Sequence, residues 1–189
     1  MTIYIAVTGA QGSGKSVFTE IAKEKFDIPT YRLGNVIIAE CKKRGLEVNG
    51  FNMGKMASVL RHEFGDQSIT RMALPEIKKL ASTKPDIMLI DGVRSFTELT
   101  FLRDELGEVI LVAIIASLRV RKNRVEARKR IDNQNKGDFE EREHRELGFG
   151  LGAVITKADY YILNEDLSKR EFIRHIDRIL TRILKNQKK

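Results

Sequence analysis

The sequence predicts a three-layer α/β fold: a parallel five-stranded sheet with helices on both faces. Three observations predict it. Short β-prone runs alternate with longer stretches of helical periodicity. The strongest runs are apolar without a break, as strands buried on both faces must be. A glycine-rich loop joins the first run to the first helical stretch.

Ile3 to Val7 reads as a buried strand, and Ser16 to Phe26 as a helix with Val17, Phe18, Ile21, Ala22 and Phe26 at helical spacing. Pro29 to Arg32 suits a short second strand. Val36 to Lys43 predicts a helix ending near Gly45, and Lys55 to Glu63 and Ile69 to Ala81 predict helical pieces broken around Gly65 and Pro75. Ile87 to Ile90 is a strand closed by Asp91-Gly92. Phe96 to Leu106 is an amphipathic helix stopped by Gly107, and Val109 to Ile115 a fully apolar strand. A basic helix follows. Asn133 to Asp138 has a loop composition, Phe139 to Leu147 is helical, and Gly148 to Gly152 is a glycine-rich break. Tyr160 to Leu163 is the last strand and Lys169 to Leu184 a closing helix. No repeat or linker divides the chain, so residues 1–189 read as one domain with insertions at about 32–81 and 131–152.

Composition narrows the classes. The longest apolar run, Val109 to Ala116, is far below the ~20 residues that span a bilayer. No signal peptide precedes the first strand. One cysteine, Cys41, excludes an internal disulfide and suits a reducing compartment, so a cytoplasmic location is expected. The net charge of +8, from 34 basic and 26 acidic residues, favours phosphorylated partners.

Gly9-Ala10-Gln11-Gly12-Ser13-Gly14-Lys15-Ser16 meets the pattern G-x-x-x-x-G-K-[ST] in full. Its glycines let the backbone curl so that amides face a phosphate at a helix N-terminus. Lys15 adds a charge bridging the β- and γ-phosphates, and the Ser16 hydroxyl ligates Mg²⁺. The loop through Val17 is therefore the expected ATP site. Asp91 ends a strand where an open α/β sheet places its ligands, and its carboxylate suits the metal or its water; an Asp-Gly turn is the plainer reading. Arg94 follows, fitted to phosphate oxygens or, alternatively, to a surface pair with Glu98.

Residues 119–130 carry seven Lys/Arg and one acid, Glu126. Arg121, Arg124 and Arg128 share one face of this helix. Such a face can stabilise charge in phosphoryl transfer. It also fits a solvated surface or a nucleic-acid patch, although no aromatic residue interleaves with the arginines.

Four segments together resemble the P-loop nucleoside and nucleotide monophosphate kinases, the group that includes dephospho-CoA kinase, deoxynucleoside monophosphate kinases and adenylate-kinase-related proteins. They are Gly9 to Ser16; Asp91-Gly92-Val93-Arg94 with Glu98; Arg121, Arg124 and Arg128; and Ala158-Asp159-Tyr160-Tyr161-Ile162-Leu163-Asn164. The resemblance implies the kinase strand order and transfer of the γ-phosphoryl of ATP, with Mg²⁺, to a small phosphorylated acceptor. It implies that Asn164 lies by the adenine, that Arg124 and Arg128 stabilise the transferring charge, and that 131–152 is a lid bringing Arg142 and Arg145. Glu143 and Glu146 would face solvent or pair with basic neighbours. Arg94 answers to a motif of the acceptor site; Arg32 and Arg61 join it as acceptor candidates by their place in the 32–81 insertion. The chain departs from the group in two places. Dephospho-CoA kinases are apolar where this chain has Asp91-Gly92-Val93-Arg94, and adenylate kinases have Thr-Gly-Asp where it has Leu33-Gly34-Asn35.

Two other motifs fail. Thr156-Lys157-Ala158-Asp159 matches a guanine-binding tetrapeptide but precedes its strand instead of closing one, and His62-Glu63 lacks the second histidine of a zinc site, Asp66 standing there. A different class, a nucleotide-switched RNA- or protein-binding module with slow ATPase activity, is the alternative; nucleic acid is permitted by the charge but not favoured.

Overall fold

The computed structural model describes residues 2–83, 85–128 and 138–186, with the Arg128 side chain outside them. In chain order the elements are β1 (Ile3–Thr8), α1 (Lys15–Phe26), β2 (Thr30–Arg32), α2 (Gly34–Lys43), α3 (Gly50–Phe64), α4 (Ser68–Ala81), β3 (Ile87–Asp91), α5 (Phe96–Leu106), β4 (Val109–Ile115), α6 (Leu118–Arg128), α7 (Asp138–Gly148), α8 (Leu151–Ile155), β5 (Tyr160–Leu163) and α9 (Lys169–Asn186). The strands form a five-stranded parallel sheet in the order β2-β3-β1-β4-β5, the kinase order.

Side chains alternate across the sheet with the period of two that strands require. Ile5, Val7, Ile87, Leu89, Val112 and Ile114 point to the layer of α1 and α9, whereas Tyr4, Ala6, Met88, Ile90, Val109 and Leu111 point to the layer of α2–α5 and α8. The α9 contribution is a single stripe, Phe172, Ile176, Leu180 and Ile183, all buried. Each such side chain contributes about 1.5–3 kcal/mol on burial.

Two helices differ from expectation. α3 begins at Gly50, well before Lys55, because the Asn49 side chain accepts from the Asn52 amide and caps the earlier start. α4 runs unbroken through Pro75. A proline in a helix interior costs ~3 kcal/mol, but Ile69, Ala73 and Ile77 on the inner face are completely or almost completely buried, and their packing outweighs it. The break near Gly65 is present. The glycine-rich stretch 148–152 is resolved into the end of α7, a left-handed Gly150 and the short helix α8. Of the expected lid, residues 131–137 lie outside the described residues.

The parallel register brings Asp91 beside Val7 and Arg32 beside Asp91. The carboxyl ends of β1, β2 and β3 therefore face one cleft. Its floor is the loop after β1.

Candidate active site

The loop between β1 and α1 is shaped by glycines that no other residue could replace. Gly9 has φ +143°, and a Cβ there would meet the Ile114 carbonyl at 2.3 Å. At Gly14, φ +117°, a Cβ would lie 2.6 Å from the Asn164 amide nitrogen and 2.9 Å from Phe172. The loop is thus pressed against β4 and the end of β5. Lys15 Nζ donates to the carbonyls of Gly9 and Ala10, the latter at 3.0 Å. Desolvation, with Arg94 as the main repelling charge, lowers the Lys15 pKa to about 7 against the opposing pull of Glu146 and Asp91.

Several other loop residues have structural partners. Ser13 N bonds Ala10 O at 3.2 Å. The Gln11 side chain donates to Phe139 O, and its carbonyl accepts from Arg121. Ser16 lines the cleft and is exposed. Val17 departs from expectation. Its side chain packs on the α1–α9 core and its amide bonds Gly14 O at 3.0 Å, so neither is turned to a ligand.

Asp91 is buried at the end of β3. One carboxylate oxygen sits 3.6 Å from Arg32 Nε, and the other has no hydrogen-bond partner among the described residues. A buried orphan acceptor needs an explanation, and a hard cation held by Asp91 with the Ser16 hydroxyl would supply one. The described residues contain no cluster of three or more His, Cys, Asp or Glu that could cage a metal. One carboxylate, a hydroxyl and phosphate oxygens suit Mg²⁺, which keeps several waters and substrate ligands. The residues fit the ion.

The second wall of the cleft is built from side chains of distant segments. Glu98, fully buried on α5, accepts from the Arg94 amide at 2.6 Å and from Arg61 at 2.6 Å, while its own amide bonds the Ser95 hydroxyl. Arg61 also donates to Ala57 O and stacks on Phe149 at 4.1 Å. Arg61, expected on the acceptor's phosphate, lines the cleft but spends both terminal nitrogens and its stacking face on holding α3, α5 and the segment before α8 together, while its Nε has no hydrogen-bond partner among the described residues. Arg94 pairs with Glu98 only through its backbone. Its guanidinium turns into the cleft, with Nε 3.4 Å from Glu146. Arg32 lies at the mouth, largely exposed.

α7 roofs this space. Arg121 holds it through a two-pronged pair with Glu143, both contacts at 2.7 Å. Arg142 and Arg145 line the cleft, as the lid reading expects, and Arg145 lies over Gly54, where a side chain would collide with its guanidinium. Of the two expectations for Glu143 and Glu146, pairing with basic neighbours holds for both and exposure to solvent does not for Glu146. It is buried between Arg94 and Arg142, the latter at 3.0 Å. Burial would raise its pKa, but Arg94, Arg142 and Lys15 together hold it down at about 2. No signal in the sequence marks Glu146 as a site residue, because its meaning comes from partners far away in the chain.

Arg124 and Asn164, expected beside the donor, are engaged with each other and with the phosphate loop. Arg124 donates to the Asn164 carbonyl at 3.0 Å and side-chain oxygen at 3.3 Å, and does not line the cleft. Asn164, 5% exposed, gives its amide to Ser13 O at 2.8 Å. The pair therefore braces the phosphate loop from the β5 side, and the Asn164 side chain is spent on that bracing. The Arg128 side chain lies outside the described residues. The resulting cleft has a volume of about 220 Å³ and is lined by apolar Ile37, Met53, Ile69 and Phe149 together with Lys15, Asp91 and the arginines.

Known proteins share this plan. A family profile described as an AAA domain matches residues 8–145. A UPF0200 protein of Hyperthermus butylicus is 40% identical over 182 residues, covering 96% of this chain and 95% of its own. One from Thermococcus onnurineus is 40% identical over 185 residues, covering 95% and 97%. Among solved structures, shikimate kinase from Bacteroides thetaiotaomicron superposes with a TM-score of 0.59 at 17% identity over 97% of this chain and 98% of its own. Shikimate kinase from Acinetobacter baumannii, solved with shikimate, gives 0.55 at 18% identity over 100% and 95%. At such identities the structures speak for the fold alone, a P-loop kinase fold. The sequence relationship is closer, and by it the chain belongs to the UPF0200 family, built on a nucleotide-binding AAA domain.

Proposed function

We propose that the protein transfers the γ-phosphoryl of ATP, with Mg²⁺, to a small nucleotide-like acceptor in the cytoplasm. One observation carries the reading: the phosphate-loop lysine and the compartment walled by Arg94, Arg142 and Phe149 line the same cleft. A binding switch needs only the first. A transferase needs both, within reach of one phosphoryl group and sheltered from water.

The loop amides and Lys15 bind the donor's phosphates. Ser16 and Asp91 would hold Mg²⁺, which when bound neutralises charge between the β- and γ-oxygens. Arg94, the main charged neighbour of Lys15, stands where donor and acceptor meet and holds the acceptor's anionic group, with Arg32 at the mouth. Arg142 stabilises the transferring charge from the roof. Arg124 and Asn164 fix the loop on the side of the donor base, and Arg128 keeps the role of stabilising the transferring charge. The volume of the cleft favours a small acceptor over a macromolecule.

The experiment is a panel. The protein is incubated with Mg·ATP and, separately, nucleoside monophosphates, deoxynucleoside monophosphates, dephospho-CoA and shikimate, and ADP release and phosphorylated product are followed by mass. One acceptor raising ADP release together with its own phosphorylated form is expected. Binding of Mg·ATP without stimulation by any acceptor, together with ATP-dependent retention of RNA on a filter, would favour the binding module.

A further inference from the structure

We infer that the Glu146 carboxylate is a built-in competitor for the transferring phosphoryl group, seated among Lys15, Arg94 and Arg142 and displaced when the donor's γ-phosphate arrives. The inference rests on the donor site of the proposed function and adds a regulation of it.

Three observations carry it. First, Glu146 serves two arginines of the cleft at once, Arg94 at 3.4 Å and Arg142 at 3.0 Å, through the same oxygen. Its second oxygen is buried with no hydrogen-bond partner among the described residues. A carboxylate placed only to tie α7 down would have both oxygens satisfied. Second, α7 is anchored without Glu146, by the Arg121–Glu143 pair and the bond from Gln11 to Phe139 O. The charge of Glu146 is thus separable from the docking of the roof. Third, the other arginines of the cleft are also covered by carboxylates: Arg32 by Asp91, Arg61 by Glu98 and Arg145 by Glu141. Those pairs lie at the mouth, in the wall and on the surface of α7. Glu146 shares one oxygen between two arginines of the cleft and lies within electrostatic reach of Lys15, as Asp91 also does.

A tetrahedral oxyanion is the ligand for such a convergence of cations, because it offers a separate oxygen to each donor where Glu146 serves both arginines with one. While Glu146 holds the point, Arg94 and Arg142 are screened. When the γ-phosphate takes it, both arginines pass from the carboxylate to the group in transfer. The loop backbone is the cradle for the α- and β-phosphates.

The distinction between ATP and ADP supplies the test. Dissociation constants of Mg·ATP and Mg·ADP are measured by calorimetry for wild type and Glu146→Gln, with urea unfolding to verify the fold. Glu146→Gln is expected to tighten Mg·ATP roughly ten- to hundred-fold, the range of a coupling between close charges, and Mg·ADP, which lacks the γ-phosphate, by less than about threefold. A structural salt bridge would lower the unfolding midpoint and leave the ATP-to-ADP ratio unchanged, and that result overturns the inference. If Glu146→Gln does not fold, Glu146→Asp, which withdraws the carboxylate by one methylene, is expected to show the same ATP-selective tightening to a smaller degree. A second arm needs no nucleotide. Inorganic phosphate should raise the melting temperature of Glu146→Gln more than that of wild type. Should neither protein bind nucleotide while phosphate still discriminates, the donor reading fails and Glu146 stands as a competitor for a bound oxyanion alone. Equal stabilisation by phosphate overturns the competitor whatever the nucleotides do.

Discussion

The two walls of the cleft are built on opposite principles. The phosphate loop is a backbone device: contiguous residues 9–16, shaped by glycines, closed by the carbonyls that Lys15 ties together. The opposite wall is a side-chain device drawn from α3, α5, α7 and the loop after β3, held by ion pairs whose members lie far apart in the chain, such as Arg61–Glu98 and Arg94–Glu146. A backbone cradle tolerates little substitution but needs few residues. A wall of paired charges can be retuned one residue at a time, at the cost of burying charges that must stay paired. The invariant chemistry of a donor suits the first, and discrimination among acceptors suits the second.

The sharpest way to break this contrast is at the loop. Lys15→Ala should reduce phosphoryl transfer by about a thousandfold or more, on the scale of losing one preorganised electrostatic donor. Urea unfolding should be unchanged or slightly strengthened, because the ammonium is desolvated where it sits. Gly9→Ala should abolish nucleotide binding by a different route, since its Cβ meets a backbone carbonyl that cannot yield. Full activity in either folded variant would defeat the cradle.

The second wall should fail through stability. Arg61→Ala leaves Glu98 buried and unpaired, a loss of about 3–5 kcal/mol, read as a fall in the urea midpoint. Mg·ATP affinity should hardly change in protein that remains folded. The double variant Arg61→Met with Glu98→Leu should recover much of the loss. If Arg61→Ala is stable but binds acceptor poorly, Arg61 is a ligand of the acceptor after all.

Arg94 should show the acceptor side directly. Arg94→Ala is expected to raise the acceptor KM about ten- to hundred-fold, as for a lost charge-assisted contact, with Arg94→Lys recovering only part of it. An unchanged KM for every acceptor would move the second site elsewhere.

The smallest effect is a proton. Lys15, lowered to about 7, is largely neutral at pH 8 in the free protein, and an arriving phosphate raises it again. Binding of Mg·ATP should therefore take up close to one proton at pH 8 and almost none at pH 6, and affinity should decline as pH rises above 7. Calorimetry in buffers of different ionisation enthalpy measures the uptake. Equal uptake in Lys15→Ala would assign the proton to another group.

Much of the first wall could be read in advance. Gly9, Gly14, Lys15 and Ser16 stand at fixed spacing, and the runs at 87–90, 109–115 and 160–163 hold no charged residue, so local sequence carried both the loop and the sheet that positions it. Even there, contacts with other segments decided some outcomes: Val17 turned into the core, and Arg124 turned to Asn164. In the helical insertions, the capping asparagine set the start of α3 although the apolar periodicity began later, and buried packing carried α4 through Pro75.

The sequence by itself determined the fold class, the strand order through its kinase resemblance, the phosphate loop and the carboxylate at the end of β3, because each is encoded by periodicity or by residues within a few positions of one another. Only the tertiary structure decided which arginines hold the wall and which face the cleft, and that Glu146 is buried among three cations. A charged residue in an exposed-looking helix reads the same whether it meets water or a partner. What distinguishes the two is the dielectric around it and the charges facing it, and for Glu146 the facing charges come from Arg94 and Lys15, segments that only folding brings to its side.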